Sequence, residues 1–222
     1  MSYEDNDMDY FAEYRLYRLP IRQFISGCLL QYLLEQKQVK SCYGLAIKFN
    51  QAMGLGEVCD SKYWNKISNG MVISSRHKIN SIENFESGVT KLLRHPICQI
   101  LNLPINNFVP CPISIFLKKP PAKLPKASSY MKESIHSFTN SRPSIYLETL
   151  DKLCQPVLES YDASRELNFK RTKQLKLEID EYIFAAENQW RYPRTVLRLK
   201  KLIDTKLTRM NEVNQAYSRR LG

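Results

Sequence analysis

Apolar positions recur at intervals of three and four over most of the chain, the period of one face of an α-helix rather than the alternation of a strand. From Pro20, the set Ile21, Phe24, Ile25, Cys28, Leu29, Tyr32 and Leu33 predicts a helix ending near Gln36. Residues 41–53 carry Leu45, Phe49 and Ala52 on one side of a second helix that closes at Gly54 and Gly56. Asp60-Ser61 reads as an N-cap for a short helix bearing Trp64 and Ile67, and Asn69-Gly70 supplies residues that tolerate positive φ. Ser74 or Ser75 then caps a helix that turns Ile79 and Ile82 inward, and another short helix near 88–93 is expected to stop at His95-Pro96. The apolar period lapses between Phe116 and Ser144 and returns with Ile145, Leu147, Leu150, Leu153, Val157 and Leu158. A heptad-like tract over 164–190 keeps Leu175, Ile179, Tyr182 and Ala186 on one face, and Arg191-Tyr192-Pro193 breaks it. The last helix, 194–220, buries Val196, Leu199, Ile203, Leu207 and Met210. Two long helices joined at a proline predict an antiparallel hairpin or coiled-coil-like arm.

Composition agrees with a mainly α fold. At 222 residues and 43% apolar the chain can bury a sizeable core, and seven glycines leave little material for phosphate loops or glycine-turned sheets. The segment boundaries implied are an acidic flexible arm (1–14), a helical domain (15–116), a basic Pro/Ser-rich linker (117–144) and a C-terminal helical hairpin (145–222). Lysines and arginines number 33 against 22 acidic residues, a net charge of +11, which favours an anionic partner. The charge is segregated. Residues 1–15 hold one basic and five acidic residues, 16–95 hold eleven and five, and 165–222 hold fourteen and seven. On the last helix Arg194, Arg198 and Lys201 recur at one-turn intervals, a row that either tracks phosphates or is simply a solvated outer face.

Signals for catalysis and cofactors are missing. Cysteines at 28, 42, 59, 98, 111 and 154 form no Cys-x-x-Cys pair, and the N-terminus is acidic, unlike a signal peptide. Reduced, packed thiols in a cytoplasmic protein are the expectation. The most apolar stretch, 96–117, is cut by Pro104, Pro110 and Pro112, so no membrane span is expected. His77, His95 and His136 lie far apart; His95 and Cys98 are three residues apart, but Pro96 is expected to disrupt the turn that would join them. No metal site, cofactor or enzymatic activity is predicted. Asp180-Glu181 reads as surface partners for Lys173, Lys176 or Arg191.

The most informative segment is Ser61-Lys62-Tyr63-Trp64-Asn65-Lys66-Ile67-Ser68-Asn69-Gly70-Met71-Val72-Ile73-Ser74, continuing to Ile79 and Ile82. Over residues 41–83 it resembles the phage-repressor-like (Xre-type) helix-turn-helix family, with Trp64, Asn69-Gly70 and Ser74 at the places where that family has an apolar residue, a polar run with glycine, and the start of the next helix. The chain departs from the family upstream, where the stretch from Ala46 to Gly54 and the turn over 54–61 are both longer. The resemblance implies an N-terminal domain with a helix-turn-helix-like core whose short helix enters the major groove. Ser61, Lys62, Asn65 and Lys66 would then face DNA, with Ile67 and Tyr63 or Trp64 toward the core; Trp64 is expected to be buried. Asn65 would read an adenine edge, or be an ordinary surface residue; Asn69 would lie beside it. Lys62, Lys66, Arg76 and Lys78 would hold phosphates. Two functions compete: a non-enzymatic nucleic-acid binder, DNA before RNA, acting as a regulator or DNA-targeting subunit, and a helical adaptor for an acidic protein or ribonucleoprotein. In either, the C-terminal hairpin offers a surface for a protein partner or for self-association.

Overall fold

A computed structural model describes residues 10–54, 60–93, 95–103, 145–190 and 193–219. The first nine residues of the expected acidic arm, the whole of the expected linker 117–144, Gly56 and Arg191-Tyr192 lie outside them. The mainly α expectation holds: every regular element among the described residues is a helix. The chain divides into two compact units, residues 1–94 and 95–222.

The first unit is built around one helix that is apolar on nearly every side. α1 (Tyr10–Leu16) leads into α2 (Leu19–Gln36), which starts with Pro20 in its first turn and buries residues as far round as Ile21, Ser26, Leu29 and Leu34. A helix buried all round belongs at the centre of a layer. Around it pack α3 (Cys42–Ala52), α4 (Ser61–Ser68) and α6 (Val89–Leu93), while α5 (Arg76–Phe85) lies against α6. Residues 10–14, expected within a flexible arm, belong instead to α1. The reason is Tyr14, buried with its hydroxyl 3.1 Å from Ser26 Oγ, which also accepts from the Ile73 amide at 3.2 Å. That shared hydroxyl ties α1 and the extended residues 71–75 to α2.

The caps follow the sequence closely. Ser41 Oγ accepts from the Gly44 amide, Asp60 Oδ1 from Lys62, and Ser75 Oγ from Lys78, each relieving an orphan amide of a first turn. Of the two serines offered for α5, Ser75 is the cap. At the end of α4, Gly70 sits at φ 107°, so its amide reaches the Ile67 carbonyl and the Met71 amide the Lys66 carbonyl. Glu83 closes the next turn, its carboxylate accepting from the Gly88 and Thr90 amides at 2.7 and 2.8 Å.

The second unit begins at His95, ahead of the expected boundary at 116/117, because His95-Pro96 starts a helix as well as stopping one. Proline has no amide to lose at the first helical position, and the His95 ring caps α7 (Pro96–Asn102) by accepting from the Ile97 amide. α7 packs on α8 (Ile145–Arg165) and α10 (Pro193–Arg219); α9 (Phe169–Gln189) completes the unit against α8 and α10. The expected two-helix hairpin is therefore part of a unit of four helices among the described residues. The tract over 164–190 does not run as one helix, since Leu167 at φ 57° ends α8, with the Asn168 amide returning to the Ala163 carbonyl. Val196, Leu199, Ile203, Leu207 and Met210 are all buried on α10, and on α9 the core row is Leu175, Ile179, Ile183 and Ala186, with Tyr182 only half-buried at its edge.

Lys206 joins the pieces of this unit. Its ammonium, 4% exposed as a residue, donates to the carbonyls of Ile100, Leu101 and Leu103 at 2.8, 3.3 and 2.6 Å and lies 4.6 Å from the centre of the Tyr161 ring. These carbonyls lie at the end of α7, so a cation from α10 supports that helix's C-terminus.

Candidate nucleic-acid interface

α4 is held by its inner face. Trp64 and Ile67 are fully buried, and the Trp64 ring meets Phe49 of α3 at 5.7 Å between centroids and Tyr63 at 5.2 Å, both edge to face. Phe49 in turn meets Phe85 of α5 at 5.1 Å. This aromatic chain fixes the rotation of the short helix. Lys62, Asn65, Lys66 and Asn69 are therefore on its outer side, all exposed, because they stand a half-turn away from Trp64 and Ile67. Ser61 does not share that exposure: it is half-buried and its hydroxyl donates to Asp60 Oδ1 at 3.2 Å, so it belongs to the cap.

The electrostatics of this face are mixed. Lys62 Nζ stands 3.8 Å from Asp60 Oδ2, a loose pair between two exposed groups. The Asp60 carboxyl is held below its ordinary value, chiefly by the Lys62 amide, with the Ser61 hydroxyl and the charges of Lys62 and Lys66 adding to it. The N-terminus of α4 is thus already occupied by a carboxylate, so any phosphate meets the side of the helix. From α5, Lys78 lies with its ammonium 4.9 Å from the Tyr63 ring centre, half-buried, and Arg76 is exposed. Lys78 and α4 are brought together by that ring.

The C-terminal row is less uniform than its spacing. Arg194 and Lys201 are exposed, whereas Arg198 is half-buried and its Nη1 is enclosed without a hydrogen-bond partner among the described residues. Burial, and then the charge of Arg194, lower the pKa of the Arg198 guanidinium. Of the three, Arg194 and Lys201 are placed to meet a ligand from solvent. Among the described residues Asp180 pairs with neither Lys173 nor Lys176, and Arg191 lies outside them. Asp180 bridges to Lys200 of α10 at 3.0 Å, and Lys176 bridges to Asp204 at 3.3 Å; the pairs run between helices because the antiparallel register sets those residues opposite one another.

Sequence reasoning missed a second cluster, visible only when α7 and α8 are packed. His95 Nε2 lies 3.0 Å from Asp151 Oδ1 while Nδ1 accepts from Ile97, so the ring carries its hydrogen on Nε2 and donates it to the carboxylate. Cys154 is one turn from Asp151, but its thiol donates to the Leu150 carbonyl at 3.3 Å, and burial with the Asp151 charge drives its pKa far up. Both ring nitrogens are spent, and the sulfur is kept as a thiol rather than a nucleophilic thiolate. Cys98 is buried on the first turns of α7, which Pro96 starts rather than disrupts. Among the described residues no three His, Cys, Asp or Glu side chains converge as a metal set, and no helix is long and apolar enough to cross a membrane.

The chain matches no family model, no curated protein and no solved structure.

Proposed function

We propose that the protein is a non-enzymatic, cytoplasmic nucleic-acid-binding protein that meets duplex DNA with the outer face of α4. The observation that carries this reading is that Trp64 and Ile67 are buried while Lys62, Asn65, Lys66 and Asn69 are exposed. A helix held in this way is a rigid ridge with an amide between two ammonium groups, the pattern a recognition helix of the helix-turn-helix kind needs. Asn65 reads a base edge; Lys62, Lys66, Arg76 and Lys78 hold phosphates, and Arg194 and Lys201 of the other unit add contacts. A role as regulator or DNA-targeting subunit follows from this reading.

Fluorescence anisotropy of labelled duplex DNA and RNA across a salt series tests it. Affinity for duplex DNA falls steeply with salt, Lys62→Ala and Lys66→Ala each reduce the salt slope by about one, and Asn65→Ala relaxes sequence preference more than it weakens overall binding. Absence of duplex affinity at low salt ends the proposal. The neutralised pairs Asp180–Lys200 and Lys176–Asp204 favour the adaptor reading for the C-terminal hairpin; a protein partner lost on charge reversal at Arg194 and Lys201, but kept on reversal at Lys62 and Lys66, would select it.

A further inference from the structure

The outer side of the C-terminal hairpin carries a row that the core does not use. On α9, Lys170, Lys173, Leu177, Glu181 and Phe184 recur at three and four residues, opposite the buried row of Leu175, Ile179 and Ile183, and all five are exposed. Leu177 is 60% and Phe184 68% exposed, and the two stand two turns apart on one face of α9. α10 extends the same ground. The bridge from Asp180 to Lys200 fixes the register of the two helices. Phe184, one turn beyond Asp180, therefore comes level with Leu197, one turn before Lys200, and Leu197 is 51% exposed.

We infer that this face is an interface with a second copy of the chain, formed by α9 packing antiparallel on the partner's α9 about a two-fold axis through Leu177. The row is complementary to itself only in that arrangement. A two-fold interface sets residues equidistant from the axis opposite one another, so Leu177 meets the partner's Leu177, Lys173 meets the partner's Glu181, and Lys170 reaches the face of the partner's Phe184 ring. A parallel pairing would instead oppose Lys173 to Lys173 and Glu181 to Glu181. On α9 itself nucleic acid fits poorly, because Glu181 is exposed with no cation partner among the described residues, and Asp180 beside it is already bound to Lys200. This inference does not depend on the DNA-binding reading.

Sedimentation velocity of the full, nuclease-treated chain over a concentration series tests it. The wild type shows a reversible monomer–dimer equilibrium. Leu177→Ser and Phe184→Ser each weaken association at least about fivefold, the loss expected for an interface anchor, while helicity, and the thermal midpoint of the dilute monomer, stay close to wild type because both side chains are exposed. Glu181→Lys weakens the dimer, and Lys173→Glu with Glu181→Lys restores it. A chain that stays monomeric throughout the series overturns the inference. So does a dimer indifferent to both serine variants, a charge-swapped pair that fails to recover, or an association seen only when duplex DNA is present; in that last case the DNA-binding reading survives and this one does not.

Discussion

Gln38 and Leu167 show where single residues strain against the fold. Both sit in the left-handed region, at φ 50° and 57°, one position past the cap of α2 and of α8. A side chain there costs on the order of 1 kcal/mol relative to glycine. Gln38 is exposed, so Gln38→Gly loses no packing and is expected to stabilise the chain by about 0.5–1 kcal/mol, read as a rise in the denaturant midpoint. Leu167 is half-buried, and there the gain is offset by lost apolar contact. Lys206 is the opposite case. Lys206→Met keeps the length of the stem but takes the ammonium from the carbonyls of Ile100, Leu101 and Leu103. Hydrogen bonds to a charged group are worth about 1.5–3 kcal/mol, and chemical denaturation should register a loss of at least that size in the second unit. Nothing in the sequence singled out this lysine, because its partners lie more than a hundred residues away.

At the scale of the element, what could be read from the sequence was whatever repeats or caps locally. The buried rows of α2, α4 and α10, the cap at Asp60 and the turn at Asn69-Gly70 all follow from three- and four-residue spacing and from side chains that bond amides within one turn. The break at Leu167 did not, since no glycine or proline marks it and the apolar period continues into α9. Nor did the pairing of Asp180, whose partner is set by the register of another helix. On α4 the local rule has a functional edge. Asp60 caps the helix but places a negative charge beside Lys62. Its folded pKa is depressed, so its contribution to stability is complete above the ordinary carboxylate value and disappears as pH falls through the lower folded one. Asp60→Asn keeps an acceptor for the Lys62 amide without the charge. The expected result is a thermal midpoint less dependent on pH in the acid range together with tighter duplex DNA binding; unchanged affinity would mean that phosphates do not approach this end of α4.

Across the whole molecule the question is whether the positive charge of the two units acts on one ligand. The excess is split between residues 16–95 and 165–222, and no local pattern tells whether the two halves serve together. The salt dependence of binding does. Each phosphate neutralised on duplex DNA contributes about −0.9 to the slope of log affinity against log salt. Contacts from Lys62, Lys66, Arg76 and Lys78 alone give a slope of about −3.6, and the addition of Arg194 and Lys201 gives about −5.4. In the second case Arg194→Glu with Lys201→Glu returns the slope toward the smaller value, while sequence preference, set by Asn65, is retained. A slope near −3.6 that the same double variant leaves unmoved would assign DNA to the first unit alone and leave the C-terminal helices to protein contact. An isotherm series on the wild type and this one variant is therefore enough to decide how the basic charge of the chain is divided.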